Sequence, residues 1–224
     1  AEEIIQFASM WNMDGLIVIG FCDLDYMYLR NHMRIPFVVY DGFCENPERI
    51  VTITIDDFDG GAQVGALLKK NGHTQALCIS DNDISMDRKR MDGFKSTFGE
   101  EQTQIMIVPM YKEERWKFYE EKIESFREVS AVFAVSDYYA IDLMHFLMGH
   151  GFRVPEDISI VGFDDIPMCE MISPTLTTVR QDGAMRAKLA LEKLHELREH
   201  ENVETVISLP VMLVERESTR GRYV

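Results

Sequence analysis

Short apolar runs alternate with longer amphipathic segments along most of this chain, and no other feature constrains its fold as much. Asp14–Gly20, Ile35–Asp41, Ile50–Ile55, Gln75–Ser80, Ile105–Val108, Ala131–Val135 and Ile158–Val161 read as strands. Leu24–Met33, Asp59–Asn71, Arg88–Phe98, Glu113–Phe126 and Tyr138–His150 read as helices, with Gly72, Gly99 and Gly151 as stops just past three of them. Met185–Glu199 reads as a late helix with Ala187, Ala190, Leu191, Leu194 and Leu197 on one face. Val206–Val214 is a final extended segment, at an edge or kinked because of Pro210. Strands alternating with helices imply βαβ units and parallel sheets. Uninterrupted apolar strands such as Leu16–Ile19 fit sheets covered on both faces. The expected fold class is α/β.

With 224 residues the chain can build one large domain or two lobes with their own cores. Its net charge of −15 argues against gripping nucleic acid by itself, because Lys and Arg must neutralise phosphates to do so. No apolar run approaches the roughly 18 residues needed to span a bilayer. The start, Ala1-Glu-Glu-Ile-Ile-Gln, lacks the basic and apolar regions of a signal peptide, so a cytoplasmic protein is expected. Cys22, Cys44, Cys78 and Cys169 are scattered and read as reduced thiols. Neither they nor the histidines have metal-binding spacing, and no structural metal or cofactor is expected.

Polar groups follow several strands. Asp41 ends the second, Asp56 and Asp57 follow the third, Ser136 and Asp137 follow Val135, and Asp164 and Asp165 follow Val161-Gly162-Phe163. Residues past the carboxyl ends of strands line the ligand crevice of doubly wound folds. Arg88 and Arg90, at a helix start, add cationic donors. An Arg fork beside carboxylates suits a polyhydroxylated ligand: the carboxylate accepts from hydroxyls while the guanidinium donates in fixed geometry. Met110 and Tyr111 are candidates for an apolar wall.

Each of these residues also has a plainer reading. Asp41, Asp56 and Asp137 could be helix caps, Asp165 could only brace its loop, and Arg90 could form a surface ion pair. Trp116 has helical spacing with Phe118, Tyr119 and Ile123 and reads as core or lobe surface. His73 reads as meeting the last carbonyls of the preceding helix. Gly60-Gly61 opens a helix and could hold an anion there, a weak signal without Lys-Ser/Thr. The motifs of serine hydrolases, P-loops, dinucleotide folds and zinc proteases are all absent, and no enzymatic activity is expected.

The most specific stretch is Val154-Pro-Glu-Asp-Ile-Ser-Ile-Val-Gly-Phe-Asp-Asp165. It resembles a signature of the LacI/GalR family of bacterial transcription regulators. Further pieces resemble that family in its own order: Asp14–Gly20, Ile35–Asp41, Asp56-Asp-Phe-Asp-Gly-Gly61 through Gly72-His73, Arg90-Met-Asp-Gly-Phe94, Val132–Asp137, Pro174–Val179 with Gln181, and Leu209-Pro210 to Arg216-Glu-Ser-Thr219. The resemblance implies a type I periplasmic-binding-protein-like fold: two doubly wound parallel-sheet lobes, three crossovers and a ligand in the cleft. It sets the N-terminal lobe at 1–55 plus 181–207 and the C-terminal lobe at 56–180 plus 208–224. By position, Asp41, Arg90, Ser136 and Asp164 fall on the family's effector contacts, with Tyr111 or Met110 as the apolar wall.

The implied function is that of an effector sensor, a homodimer whose lobe closure on a sugar or sugar derivative alters binding to operator DNA. The alternative is a periplasmic sugar-binding protein serving transport, and a metal-assisted enzyme using its Asp residues is a more distant one. Three departures from the family pattern stand out. Ser136 and Asp57 each replace a usual Asn, and Ser80–Asp87 is unusually acidic. Nothing before Asp14 matches the family's DNA-binding helix-turn-helix, hinge or first β-α-β unit, so this sequence is read as a fragment whose first lobe would expose a sheet edge and be unstable alone.

Overall fold

Apolar runs become parallel strands here, with the amphipathic segments between them as covering helices. Phe37–Val39, Ala76–Ser80 and Ala131–Ala134 are buried throughout, whereas Leu16–Ile19, expected to be covered on both faces, is an edge strand with Ile17 39% and Ile19 63% exposed. The computed structural model describes residues 2–19, 23–33, 35–40, 50–83, 85–199 and 203–221. It divides into two units, Ala1–Asp56 with Asp182–Pro210, and Asp57–Gln181 with Val211–Val224.

The first unit holds α1 (Glu2–Met10), β1 (Leu16–Ile19), α2 (Asp23–His32), β2 (Phe37–Tyr40) and β3 (Ile50–Ile55), with α8 (Gly183–Glu199) and β9 (Val206–Leu209) returning from the far end of the chain. Its sheet runs β1-β2-β3-β9, all parallel. One face buries Val18, Leu29, Phe37, Val39 and Ile50, with Ile4 and Ile5 packed against them. Helix α1 covers that face, an element that the sequence pattern before Asp14 does not predict. The opposite face buries Val38, Val51 and Ile53 under Ala190 and Leu197. The expected stripe on α8 is thus corrected. Leu191 is 63% exposed, and Arg186 takes its place against the sheet. A guanidinium can be buried there because its Nη2 donates to the Ile53 carbonyl and its Cζ lies 4.5 Å from the Tyr40 ring centre.

The second unit begins with α3 (Asp57–Lys70) and continues β4 (Ala76–Ser80), α4 (Ser85–Phe98), β5 (Thr103–Ile107), α5 (Lys112–Glu121), α6 (Ile123–Arg127), β6 (Ala131–Ala134), α7 (Asp137–Gly149) and β7 (Ser159–Val161). A 3-10 turn (Pro167–Glu170), β8 (Thr178–Arg180) and, after the first unit is revisited, β10 (Met212–Val214) complete it. Two expectations change. The helix expected over Glu113–Phe126 is broken at Lys122, whose φ of −105° and ψ of 14° leave the helical region. The final extended segment is two strands, because Pro210 separates β9, paired with β3, from β10, paired antiparallel with β8.

The main sheet of this unit runs β5-β4-β6-β7, all parallel. Sequence order reverses between β4 and β6, so the crevice of this sheet lies at the carboxyl ends of those two strands. Helices α3 and α4 pack backbone to backbone beside it. A Cβ added at Gly61 would stand 1.9 Å from the Arg90 carbonyl oxygen, and one at Gly93 would stand 1.9 Å from that of Phe58. The glycine pair at the start of α3 is therefore a packing device, and the anion-binding reading is not needed. Gly61→Ala is expected to lower stability by about 1–3 kcal/mol, the usual range for forcing extra atoms into a packed contact. Gly149→Ala, with open space around it, should be neutral or slightly stabilising. Chemical denaturation of both variants checks this; equal stabilities would refute the close-packing account.

Candidate functional site

The close approach of α3 and α4 places Asp57, first residue of α3, against Arg90 in the second turn of α4. Both are buried, Arg90 to 8% exposure. Arg90 Nε donates to Asp57 Oδ1 at 2.8 Å, and Nη1 donates to the Val135 carbonyl at 2.7 Å, just past the end of β6. The guanidinium lies 3.8 Å from the Phe163 ring centre, and its Nη1 is 3.6 Å from Asp164 Oδ1. The surface-pair reading of Arg90 is corrected, because the pair is buried. Arg90 is an internal cation fixed on four sides, while its Nη2 makes no hydrogen bond among the described residues.

Asp164 occupies unusual backbone. Its φ is 120° and that of Asp165 is 55°, regions that L residues rarely adopt. The surroundings over-determine the loop. Asp164 N–H donates to the Val179 carbonyl, and Gln181 Nε2 donates to Asp164 Oδ1 at 2.8 Å. Asp165 turns away to ion pairs with Arg216 at 2.7 Å and Arg180 at 2.5 Å, which is the bracing role expected of it. Ile166 N–H donates to Asp137 Oδ2 at 2.9 Å.

Asp137 is also corrected. It is not the cap of α7, a position Ser136 holds without a side-chain cap bond. It is buried, and it accepts from Thr178 Oγ1 at 2.6 Å and from Cys169 Sγ at 3.1 Å in addition to Ile166. Burial pushes its carboxyl above the usual carboxylate range, against the pull of those hydrogen bonds. Burial likewise raises the Cys169 thiol, followed by its bond to Asp137. Gly162 makes room for this carboxylate: a Cβ there would stand 2.2 Å from Asp137 Oδ1.

On the β4 side, Ser80 Oγ donates to Asp87 Oδ2 at 2.7 Å and Asn82 Nδ2 donates to the same oxygen at 3.0 Å. Burial, and behind it Asp81, holds the Asp87 carboxyl above its ordinary range, while Ser80, Arg90 and Asn82 pull it down. Arg88 is engaged at the surface by Asp83 and is not part of this group.

The structure thus brings Arg90 and Asp164 together, with Ser136 one residue beyond the carbonyl that Arg90 grips. Tyr111 stands at the start of α5, 71% exposed, and its hydroxyl makes no hydrogen bond among the described residues; Met110 is 66% exposed. Asp41 lies outside the described residues. His73 meets the Leu68 carbonyl with its backbone N–H, as expected, but its ring Nδ1 pairs with Ser130 Oγ at 2.8 Å. Trp116 packs on the second unit's core and donates Nε1 to Asp142. Sequence reasoning placed Asp57 among the crevice residues without seeing it as the partner of Arg90, and it missed Gln181 as a neighbour of Asp164, although both sit in pieces of the family pattern. No group of His, Cys, Asp and Glu among the described residues could hold a metal.

Residues 66–219 match the periplasmic binding protein-like domain. The chain belongs to that family. The HTH-type transcriptional repressor PurR of Vibrio vulnificus is 29% identical, over 98% of this chain and 68% of the repressor. The HTH-type transcriptional regulator DegA of Bacillus subtilis is 32% identical, over 75% of this chain and 51% of that regulator. Among solved structures, a LacI family transcriptional regulator from Enterococcus faecium with bound ribose superimposes with a TM-score of 0.86 at 27% identity, over 99% of this chain and 85% of the other. The lac repressor dimer bound to operator shares the fold, with a TM-score of 0.84 at 22% identity, over 98% of this chain and 78% of the other. The periplasmic-binding-like fold and the effector-binding domain of a LacI-type regulator, both expected from the sequence, are what these likenesses support. The relatives named are regulators, not enzymes.

The strained loop yields a stability test. Asp164→Gly and Asp164→Ala remove the same carboxylate, but only glycine tolerates a φ of 120° without cost. The Gly variant should be more stable than the Ala variant by about 1 kcal/mol or more. Equal midpoints in urea would show that the loop carries no strain.

Proposed function

We propose that this chain senses a small sugar or sugar derivative through Arg90, Asp164 and Ser136, with Tyr111 as an apolar wall and Asp41 as a further contact. The observation that carries this reading is the Arg90–Asp164 pairing at the strand-order reversal of the second unit's sheet. A fixed guanidinium whose Nη2 donates to nothing among the described residues, beside a carboxylate that accepts through two oxygens, suits vicinal hydroxyls in both directions. Ribose in the Enterococcus faecium regulator supports a sugar as the first ligand to try.

The chain acts as a homodimer in the cytoplasm and is not catalytic. Its effector biases binding of operator DNA by a DNA-binding segment of the regulator. That bias equals the ligand's differential affinity for two conformations. No described helix is long and apolar enough to cross a membrane.

Isothermal titration with D-ribose and related sugars tests the site. Arg90→Ala and Asp164→Ala should each weaken binding at least about tenfold, since each removes a charged hydrogen-bond partner. Ser136→Ala should cost less, because only a neutral hydroxyl is lost. If Arg90→Ala and Asp164→Ala remain folded and bind as the natural chain does, these residues are not the site.

A further inference from the structure

The sensing site as proposed leaves two departures from the family pattern unexplained: the carboxylate at Asp57 and the acidic run Ser80–Asp87. The geometry gives both a role. In the second unit, the buried cations among the described residues are Arg90 and Arg115. Arg115 is matched by Asp142 at 2.8 Å and by the carbonyls of Pro109 and Met110. Arg90 is matched by Asp57 at 2.8 Å and then approached by Asp164 at 3.6 Å, so two carboxylates attend one guanidinium. Asp87 stands one helical turn before it on α4, joined to Ser80 and Asn82 and within electrostatic reach of both Arg90 and Asp81. The neighbouring cations are already engaged: Arg88 pairs with Asp83, and Lys112 lies over the Trp116 ring.

We propose that these carboxylates set the charge class of the effector, so that the site takes a neutral or cationic polyol and rejects the same polyol as a phosphate ester or carboxylate. This rests on the reading of Arg90 and Asp164 as the effector's partners. Arginine beside a strand end ordinarily suggests an anion site. Here its charge is countered inside the protein by Asp57, and what remains for a ligand is the pair of N–H groups on Nη2. An anion placed there would either displace Asp57 or stand among carboxylates of its own sign. A hydroxyl faces neither penalty: it accepts from Nη2 and donates to Asp164. An ammonium group would be drawn toward Asp87 and Asp81. The residue usual at position 57 is Asn, which would leave the guanidinium charge open to a ligand, so Asp57 is the specificity-determining position.

The test is calorimetric titration and thermal shift of this chain with D-ribose, a panel of other neutral and amino sugars, and the 5- or 6-phosphates of those that bind. Each phosphate is expected to bind on the order of 100-fold more weakly than its parent, because like charges are brought together. Asp57→Asn should narrow that gap by about tenfold or more. Asp87→Asn, outside the Arg90 pair, should narrow it less and serves if Asp57→Asn does not fold. A phosphate that binds as tightly as its parent sugar overturns the charge rule while leaving the sensing site intact. A gap that persists unchanged in both variants overturns its assignment to these carboxylates. A chain to which no neutral or amino sugar binds overturns the sensing reading itself.

Discussion

A buried guanidinium has to be answered on every side, and the second unit is arranged around answering Arg90. Removing a charge from water costs several kcal/mol unless a counter-charge and hydrogen bonds replace the solvent. Asp57 from α3, the Val135 carbonyl beyond β6 and the Phe163 face beyond β7 supply those partners. They can reach it only because Gly61 and Gly93 let α3 and α4 touch through their backbones. Local sequence, helix packing and the electrostatics of the site are therefore one linked arrangement. A larger side chain at either glycine would part the ion pair as well as the helices.

The facing loop follows the opposite logic, since it is held in a conformation its own residues disfavour. Asp164 and Asp165 sit at positive φ, and the loop is pinned by Asp137 behind it and by Arg180 and Arg216 beneath it. Gly162 admits the Asp137 carboxylate that does part of the pinning. Strain held this way keeps the Asp164 carboxylate aimed at Arg90 before any ligand arrives. Such preorganisation lowers the cost of ordering on binding.

The strands and most helices were legible in the sequence because period and punctuation are local properties. The Val154–Asp165 stretch also gave the family and the position of Asp164. What could not be read were pairings between residues distant along the chain. Arg90 looked like a surface residue because its partner Asp57 is thirty-three positions away. Asp137 looked like a cap because the Thr178 hydroxyl it receives is forty-one positions away. The face of α8 was misjudged because hydrophobicity favours Leu191, whereas the sheet offers a carbonyl and a ring to Arg186. Tyr111, 71% exposed at the start of α5, takes no part in the core.

Arg90 keeps Asp57 as its counter-ion and meets a ligand through Nη2, its charge already countered inside the protein. A crystal structure of the protein with a bound sugar tests it most directly. The expected result is a sugar hydroxyl within about 3 Å of Arg90 Nη2, a second hydroxyl on Asp164, and an unbroken Arg90–Asp57 pair. A sugar that displaces Asp57 from the guanidinium, or one bound away from Arg90 altogether, would contradict it.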